Sequence, residues 1–299
     1  MATEVMRGWA ASVNLTAGEA RSPWSSTQWR EYFRRNAQSL LHIPWDAGVS
    51  LTVDERAIIA ASVQEFQLGE SSDGHHFLHA ARQYALASGD VQYVAALRRL
   101  IAEEQRHGRD LGQVLDLAGI ERIRQAWADT VFRWLRRQAG LELSISILVT
   151  AEIIAQVYYI ALRDATGSLV LRRLCEQILR DEDAHVRFQC ERLALLRQRD
   201  GRCRLALKRL AQRSFFLGTC LVFWLKHAPV MRAGGFGFLS FLRAGRRQMN
   251  VAARIMHPRQ YRFAQHGKDV APVADAKPAP ATPRPAETSL DLGGNWLEL

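Results

Sequence analysis

Two short segments of the sequence place an acid and a histidine at a spacing that suits metal binding. The segment EEQRH contains Glu104 and His107, and the segment DEDAH contains Glu182 and His185. Residues three apart on a helix lie on the same face, so each pair can bind one metal ion. Because Glu-x-x-His occurs often by chance, either pair alone is weak evidence.

A further acid lies in the most apolar stretch of the chain. Glu152 is the only charged residue between Glu142 and Arg163. A carboxylate in an apolar core is costly unless it is paired or takes up a proton. Glu152 and Glu182 each lie fifteen residues from Gly167 in the turn TGS, so two antiparallel helices joined there would hold them at the same height. The spacing predicts that Glu152 joins the metal site.

The same reasoning selects a fourth carboxylate from two candidates, Glu65 and Glu70. The midpoint between Glu70 and Glu104 is residue 87, whereas the midpoint between Glu65 and Glu104 is 84.5. The break SGD centres near residue 89, so the spacing favours Glu70 and leaves Glu65 as the alternative.

The predicted ligands and two divalent metal ions together have no net charge. Two divalent ions carry four positive charges, four glutamates carry four negative charges, and two neutral imidazoles add none. Oxygen-rich ligands with two imidazoles suit two iron ions, or an iron–manganese pair, although zinc accepts the same ligands. Glu103 and Asp181 precede the two pairs, and either can accept the outer N–H of a ligating histidine. A bundle with buried ion pairs and no metal stays open.

The elements that must position these residues are long segments at helical period. The segments cover 51–88, 91–119, about 121–165 with a joint near Gly140, and 169–198. Thr52 followed by Glu55 is a candidate capping box at the first start. No stretch alternates convincingly at period two. Four long helices joined by short turns predict an all-α protein built on an antiparallel four-helix bundle.

The chain divides into four predicted regions. They are an N-terminal extension with one short helix (1–50), the bundle (51–200), apolar and basic accessory helices (201–260), and a Pro/Ala-rich tail expected to be disordered (261–299). The accessory segments SFFLGTCLVFWL and FGFLSFLRAGRRQMNVAARIM have three open roles. They can pack against the bundle, cover a hydrophobic substrate channel, or lie on a membrane surface.

Composition and net charge indicate the cellular compartment and the kind of binding partner. The chain has 299 residues, 48% of them hydrophobic, and a net charge of +10. Four cysteines without a C-x-x-C pair, and a polar N-terminus without a secretory signal, predict a cytoplasmic protein. The basic charge favours an acidic acyl carrier protein or an anionic membrane surface, and no nucleic-acid motif accompanies it. The segment 143–162 is long enough to span a bilayer, but its polar residues favour a buried core helix.

The paired motifs also resemble a known family. EEQRHG and DEDAH are similar to motifs of the ferritin-like superfamily, and in particular to the Glu-Glu-x-Arg-His-Gly and Asp-Glu-x-x-His runs of soluble acyl-carrier-protein desaturases. The likeness covers roughly residues 52–200. The resemblance implies the metal ligands Glu70, Glu104, His107, Glu152, Glu182 and His185, supported by Glu103 and Asp181.

A site of this kind is expected to activate oxygen, because two ferrous ions together reduce dioxygen. The sequence favours a di-iron oxidoreductase of the hydroxylation, desaturation or N-oxygenation type. Its expected substrate is hydrophobic or carrier-bound, and its electrons come from a separate reductase or ferredoxin. Gln156 and Tyr159 share the Glu152 face and are the candidate catalytic residues, although Tyr159 can equally be a packed core residue. Gly108, beside His107, is interpreted as leaving room for oxygen and substrate.

Two other functions stay open. The first is a ferritin-like protein without an organic substrate, serving iron oxidation and storage or protection against oxidative stress. The second is a metal-free bundle that acts as an adaptor for a membrane or protein. A homodimer is compatible with either of them and with the oxidoreductase.

Overall fold

The regular secondary structure of this protein is helical. The computed structural model describes residues 22–72, 74–125 and 140–261, and no β-strand occurs in those ranges. The α-helices are α1 (Ser26–Asn36), α2 (Val53–Glu70), α3 (His75–Ser88), α4 (Val91–Leu117), α5 (Leu141–Asp164), α6 (Leu169–Leu196), α7 (Arg202–Ala233) and α8 (Phe238–Ile255). The all-α prediction is therefore confirmed, while a ferritin-like bundle of four of these helices stays a prediction.

Several predicted helix limits agree closely with the structure. Helix α4 begins at the predicted residue, as does α6. The capping box at the start of α2 is present: the Thr52 side chain accepts from the Glu55 amide, and the Glu55 carboxylate accepts from the Thr52 amide at 2.7 Å. These two bonds satisfy backbone donors that the first turn of a helix leaves without partners.

The prediction of one continuous helix over 51–88 is wrong. Helix α2 ends at Glu70, and α3 begins at His75 after a break that includes Gly74. Gly74 has φ +63°, and a Cβ there would come within 2.6 Å of the Ile101 side chain on α4. Left-handed backbone and close packing both favour glycine. The break places Glu70 at the C-terminal end of a helix rather than in the middle of one.

The third predicted helix, from about residue 121, is described only in part. Residues 120–125 are not helical, residues 126–139 lie outside the described part of the chain, and α5 begins at Leu141. Helix α5 packs against α6 on one side and α7 on another. Residues 1–21 and 262–299, including almost all of the predicted tail, are likewise outside the described residues.

The other helices pack against α5 and α6 or against α4. Helix α2 packs on α4, and α4 also contacts α6, so the four predicted ligand-bearing helices are linked. Helix α1 lies against α4, and α3 lies against α4 and α5. Helix α7 is much longer than the predicted segment 214–225 and contacts α5 and α2, while α8 contacts α5, α6 and α7. The helices therefore pack around α4 and α5, which α6 and α3 connect.

Two of the described helices, α5 and α7, are long and apolar enough to cross a membrane. The most apolar part of α5 is 83% buried inside the protein, whereas that of α7 is 44% buried. Packing in the core accounts for the composition of α5. It does not account for the exposed half of α7.

Candidate metal centre

The six predicted ligand residues lie together in one cluster. The cluster consists of two overlapping groups: Glu70, Glu104, His107 and Glu182 form the first, and Glu104, Glu152, Glu182 and His185 form the second. Within each group, one possible ligand atom from every residue lies within 4.8 Å of the others. Two glutamates belong to both groups, which is an arrangement suited to a pair of ions that share ligands.

The two histidines turn the same ring nitrogen into the cluster. His107 Nδ1 lies 3.9 Å from Glu70 Oε2 and 3.8 Å from Glu182 Oε1. His185 Nδ1 lies 2.7 Å from Glu104 Oε1 and 3.8 Å from Glu182 Oε2. Two atoms that each bind one ion at about 2 Å are at most about 4 Å apart. All four separations meet that limit.

The outer nitrogen of each histidine contacts a carboxylate from the other helix. His107 Nε2 on α4 lies 2.9 Å from Asp181 Oδ2 on α6, and His185 Nε2 on α6 lies 3.0 Å from Glu103 Oε2 on α4. When Nε2 carries the hydrogen, Nδ1 keeps its lone pair for a metal ion. The two helices are therefore joined by a crossed pair of acid–histidine contacts.

Helix α1 supports both of these carboxylates through one residue. The Asn36 side-chain amide donates to Glu103 Oε1 at 2.8 Å and to Asp181 Oδ1 at 2.7 Å. Gln177 adds bonds to Asp181 at 2.9 Å. Asn36 was not among the residues predicted from the sequence. Its signal was a polar residue following Trp29 and Phe33 at helical spacing, because all three lie on the buried face of α1.

The centre of the cluster holds polar atoms without hydrogen-bond partners. Among the described residues, three such buried atoms belong to it: His107 Nδ1, Glu152 Oε2 and Glu182 Oε2. Glu104 Oε1 and His185 Nδ1 face each other at 2.7 Å and form a hydrogen bond only when His185 carries a proton on Nδ1. Buried polar atoms are nearly always hydrogen-bonded in proteins, and several unpartnered acceptors facing one another are unfavourable. A cation between them removes that cost.

The electrostatics point the same way. Burial, followed by repulsion from Glu104, raises the pKa of Glu70, Glu152 and Glu182 well above the usual range. Burial also acts to raise the pKa of Glu104, but contact with His185 outweighs it and lowers that pKa to about 2. Burial alone would lower the pKa of His185, but Glu103 and Glu104 raise it well above the usual value. These shifts reflect an excess of buried acid that divalent ions can neutralise.

The predicted catalytic residues have different surroundings. The Tyr159 hydroxyl donates to Glu70 Oε1 at 2.7 Å, so this buried tyrosine contacts a candidate ligand. Gln156 instead donates to Asp183 Oδ1 at 3.2 Å. Gln189, which the sequence analysis missed, donates to Glu152 Oε1. Its signal was available, because Gln189 follows His185 by four residues and therefore shares its face on α6.

A mostly apolar cavity of about 270 Å³ adjoins the cluster. Its lining includes all four candidate glutamates, together with apolar side chains from α2, α3, α4 and α5. Helix α7 contributes Thr219, Val222, Phe223, Lys226 and His227 to the wall. The accessory helix therefore borders the space beside the candidate metal centre.

Glu65, the alternative fourth ligand, has another partner. Its Oε2 lies 2.7 Å from Lys226 Nζ, and it belongs to neither of the two metal-binding groups. His75, His76 and His79 are exposed on α3 and also lie outside both groups. The fourth carboxylate of the cluster is Glu70.

The interpretation of Gly108 as room for oxygen is wrong. A Cβ at Gly108 would come within 2.6 Å of Ser71 Oγ and 3.0 Å of the Ser71 backbone nitrogen. The space beside this glycine is filled by the end of α2. Gly108 therefore lets α2 approach α4 closely enough for Glu70 to reach the cluster.

In comparisons with known proteins, no family model, curated protein or solved structure matched this chain. The resemblance to the ferritin-like superfamily rests on the two motifs alone, and the helical structure with its buried acid–histidine cluster is compatible with it. Function must be argued from the site itself, since a fold alone does not determine it.

Proposed function

We propose that this protein is a ferritin-like oxidoreductase that holds two iron ions, or an iron–manganese pair, and oxidises an organic substrate with dioxygen. One observation carries the proposal. Two ligand groups share Glu104 and Glu182, and they border an apolar cavity.

The proposed ligand assignment follows the two groups. Glu70 and His107 belong to one ion, Glu152 and His185 belong to the other, and the two shared glutamates serve both. Two divalent ions cancel the charge of four glutamates, so the loaded site carries no net charge. This cancellation removes the main cost of burying the acids. The mixture of oxygen and imidazole ligands suits iron and manganese.

The chain's own residues prepare the site for this role. Bound ferrous ions supply the electrons that reduce dioxygen. Asp181 and Glu103 hold the two imidazoles with Nδ1 inward, so the ligand atoms need little reorientation. The Tyr159 hydroxyl holds a proton 2.7 Å from Glu70 Oε1. This tyrosine can therefore orient a candidate ligand and keep a proton beside it.

The cavity indicates what kind of substrate fits. Most of its lining is apolar, including Phe66, Ile147 and Phe223, so it favours a hydrophobic molecule. Repeated turnover needs electrons from outside the chain, and a reductase or ferredoxin is the proposed donor. An acidic acyl carrier protein is a candidate means of presenting the substrate to this basic protein.

Iron oxidation and storage without an organic substrate is the second candidate. Glu104 favours it, because this shared carboxylate keeps 25% of its side chain exposed while the histidines are buried. A partly exposed shared ligand offers iron a route from solvent into the site. The storage function predicts continued uptake of iron after the two sites are filled.

Anaerobic reconstitution with ferrous iron, followed by metal analysis and Mössbauer spectroscopy, tests both candidates. The oxidoreductase predicts about two irons per chain, coupled after exposure to oxygen, and a spectrum altered by a fatty acyl substrate. Uptake well beyond two ions, together with a cage-sized assembly in gel filtration, would support storage instead. Less than about one ion per chain and no change in thermal stability with a chelator would leave the metal-free adaptor.

A further inference from the structure

The outer face of α7 carries a stripe of exposed leucines. They are Leu207, Leu210, Leu217, Leu221 and Leu225, with exposed fractions between 47% and 74%. Their spacings of three, seven, four and four residues keep them on one side of the helix. Leu225 follows Leu207 by eighteen residues, so the stripe is about 27 Å long. A long apolar surface of this kind marks an interaction site.

This stripe is not needed to attach α7 to the rest of the protein. A different face of α7 packs inward through Leu205, Phe216, Cys220 and His227, all of which are buried. The leucines therefore face away from the helices that α7 contacts. Their apolar character has no explanation within the described packing of the chain.

The helix that carries the stripe is basic, and the acids that pair with part of its charge lie outside it: Arg204 and Lys208 contact Asp200, and Lys226 contacts Glu65. Residues 201–268 contain no aspartate or glutamate, while α7 alone contains five arginines and two lysines. Arg213 is exposed, follows Leu210 by three residues and precedes Leu217 by four, so it borders the stripe directly. Two copies of this face would bring basic helices together and repel each other, whereas an anionic surface would attract them.

We propose that α7 binds an anionic phospholipid surface and lies in the plane of the interface. The leucines enter the outer part of the acyl region, and the bordering arginines contact lipid phosphates. A straight row of leucines fits a fluid planar surface without needing matching pockets on a partner, which favours lipid over an acidic protein. The helix lies on the membrane rather than across it, because its other face is packed on the protein.

The position of the cavity gives this attachment a further consequence, which rests on the proposed function. Val222 lines the cavity and is 41% exposed, and it directly follows Leu221 of the stripe. Thr219 and Phe223 also line the cavity from the same helix. The cavity therefore borders the membrane side of α7. An apolar substrate dissolved in the bilayer can enter from that side with little exposure to water.

Flotation of the full chain with vesicles tests the attachment. Vesicles of phosphatidylcholine alone are compared with vesicles that also contain phosphatidylglycerol. We expect binding to the anionic vesicles that weakens as salt is added. The double variant Leu221→Glu/Leu225→Glu should reduce binding at least about tenfold, because each leucine loses its apolar transfer and gains a charge that anionic lipid repels.

A matched control variant carries the same charges elsewhere. Leu86→Glu/Val91→Glu alters residues that are 80% and 65% exposed on α3 and α4, and it should bind vesicles as the unaltered chain does. Arg209 is a second exposed arginine of α7, and it directly precedes Leu210. Arg209→Gln/Arg213→Gln tests the charge separately and should weaken binding to anionic vesicles most at low salt. Circular dichroism melting of each variant shows whether the fold is retained.

Several outcomes would overturn the proposal. They are equal binding to neutral and anionic vesicles, full binding by the leucine variant, and capture by an acidic carrier protein with no vesicle binding. A concentration-dependent dimer that the leucine variant abolishes, again without vesicle binding, would instead make the stripe an interface between copies. Metal content is measured on the same samples. Vesicle binding without metal loading would contradict only the proposed oxidation chemistry, and metal loading without vesicle binding would contradict only the attachment.

Discussion

Helices α5 and α7 are both long and apolar enough to cross a membrane, but they occupy opposite environments. The apolar part of α5 is 83% buried and includes a carboxylate, whereas that of α7 is 44% buried and exposes a row of leucines. In α5 the charged residue is the one that needs an explanation, and in α7 the apolar residues are. The comparison shows that composition alone does not distinguish a buried core helix from a helix that exposes an apolar face.

The largest expected effect comes from placing the same charge on each helix. Ile153 is completely buried on α5, so Ile153→Glu should cost about 4 kcal/mol or more and unfold much of the protein. Leu225 is 74% exposed on α7, so Leu225→Glu should change stability by about 0.5 kcal/mol or less. Urea denaturation measures both. Similar losses for the two variants would show that the outer face of α7 is packed against something.

The next largest effects are expected at Glu152, which directly precedes Ile153 on α5. Glu152→Leu should abolish binding of one or both metals, because it removes a ligand from α5. In metal-free protein the same change should raise stability by about 1 to 3 kcal/mol, because it removes one of several buried acids. Metal analysis and thermal melting after chelation measure the two effects. Glu65→Gln, which alters a wall residue paired with Lys226, is the control and should keep both metals. A coupled two-metal signal in Glu152→Leu would contradict the ligand assignment.

A smaller effect is expected where α6 supports the opposite histidine. Asp181→Asn should keep the metals but weaken binding about 10- to 100-fold, because His107 loses its charged acceptor. Competition with a chelator of known affinity measures the change. Asp183→Asn, two residues along the same helix, provides a control outside the contact with His107. Unchanged affinity in the Asp181 variant would mean that the crossed contact does not position the imidazole.

The smallest effect concerns the hydroxyl that α5 presents to Glu70. Tyr159→Phe should retain both metals and lower stability by about 1 kcal/mol, since a single buried hydrogen bond is lost. The visible spectrum of the iron-loaded variant should shift, because Glu70 loses a donor that orients it. Tyr158→Phe removes a hydroxyl that contacts Ser62 instead, and it should leave the spectrum unchanged. Identical spectra for both variants would reduce Tyr159 to a packed core residue.

The parts of the site that lie on uninterrupted helices were predictable from the sequence. Glu152 and Glu182 could be matched because one short turn joins α5 to α6 and neither helix is interrupted between the turn and its acid. The two Glu-x-x-His pairs needed only the period of a helix. Local geometry propagates reliably along a continuous helix, so counting residues was enough.

Glu70 shows where counting stops being a sound argument. The midpoint calculation assumed one helix from residue 51 to 88, but the chain breaks after Glu70 and the turn near residue 89 joins α3 to α4. The favoured residue does lie in the cluster, although the reason given for it fails. The structure supplies a different reason, the close approach of α2 to α4 at Gly108.

Tertiary contacts from distant segments were beyond the sequence analysis. Asn36 reaches Glu103 and Asp181 only because α1 packs on α4. The spacing within residues 26–36 places Asn36 on the buried face of α1 but does not indicate which side chains it meets. The sequence also could not show which histidine each acid contacts. Glu103 and Asp181 each lie four residues before the histidine of their own helix, so a contact within one helix was equally possible. Both features depend on how helices meet rather than on what each helix contains.

The crossed contacts make the two motifs mutually dependent. Each of α4 and α6 carries a histidine whose outer acceptor is supplied by the other helix. If one motif were transplanted alone into an unrelated scaffold, it would keep its metal ligands, but its histidine would lack the carboxylate that contacts Nε2. A substitution in either motif is therefore expected to affect the histidine on the opposite helix. The two motifs can change independently only at a cost to the site that they form together.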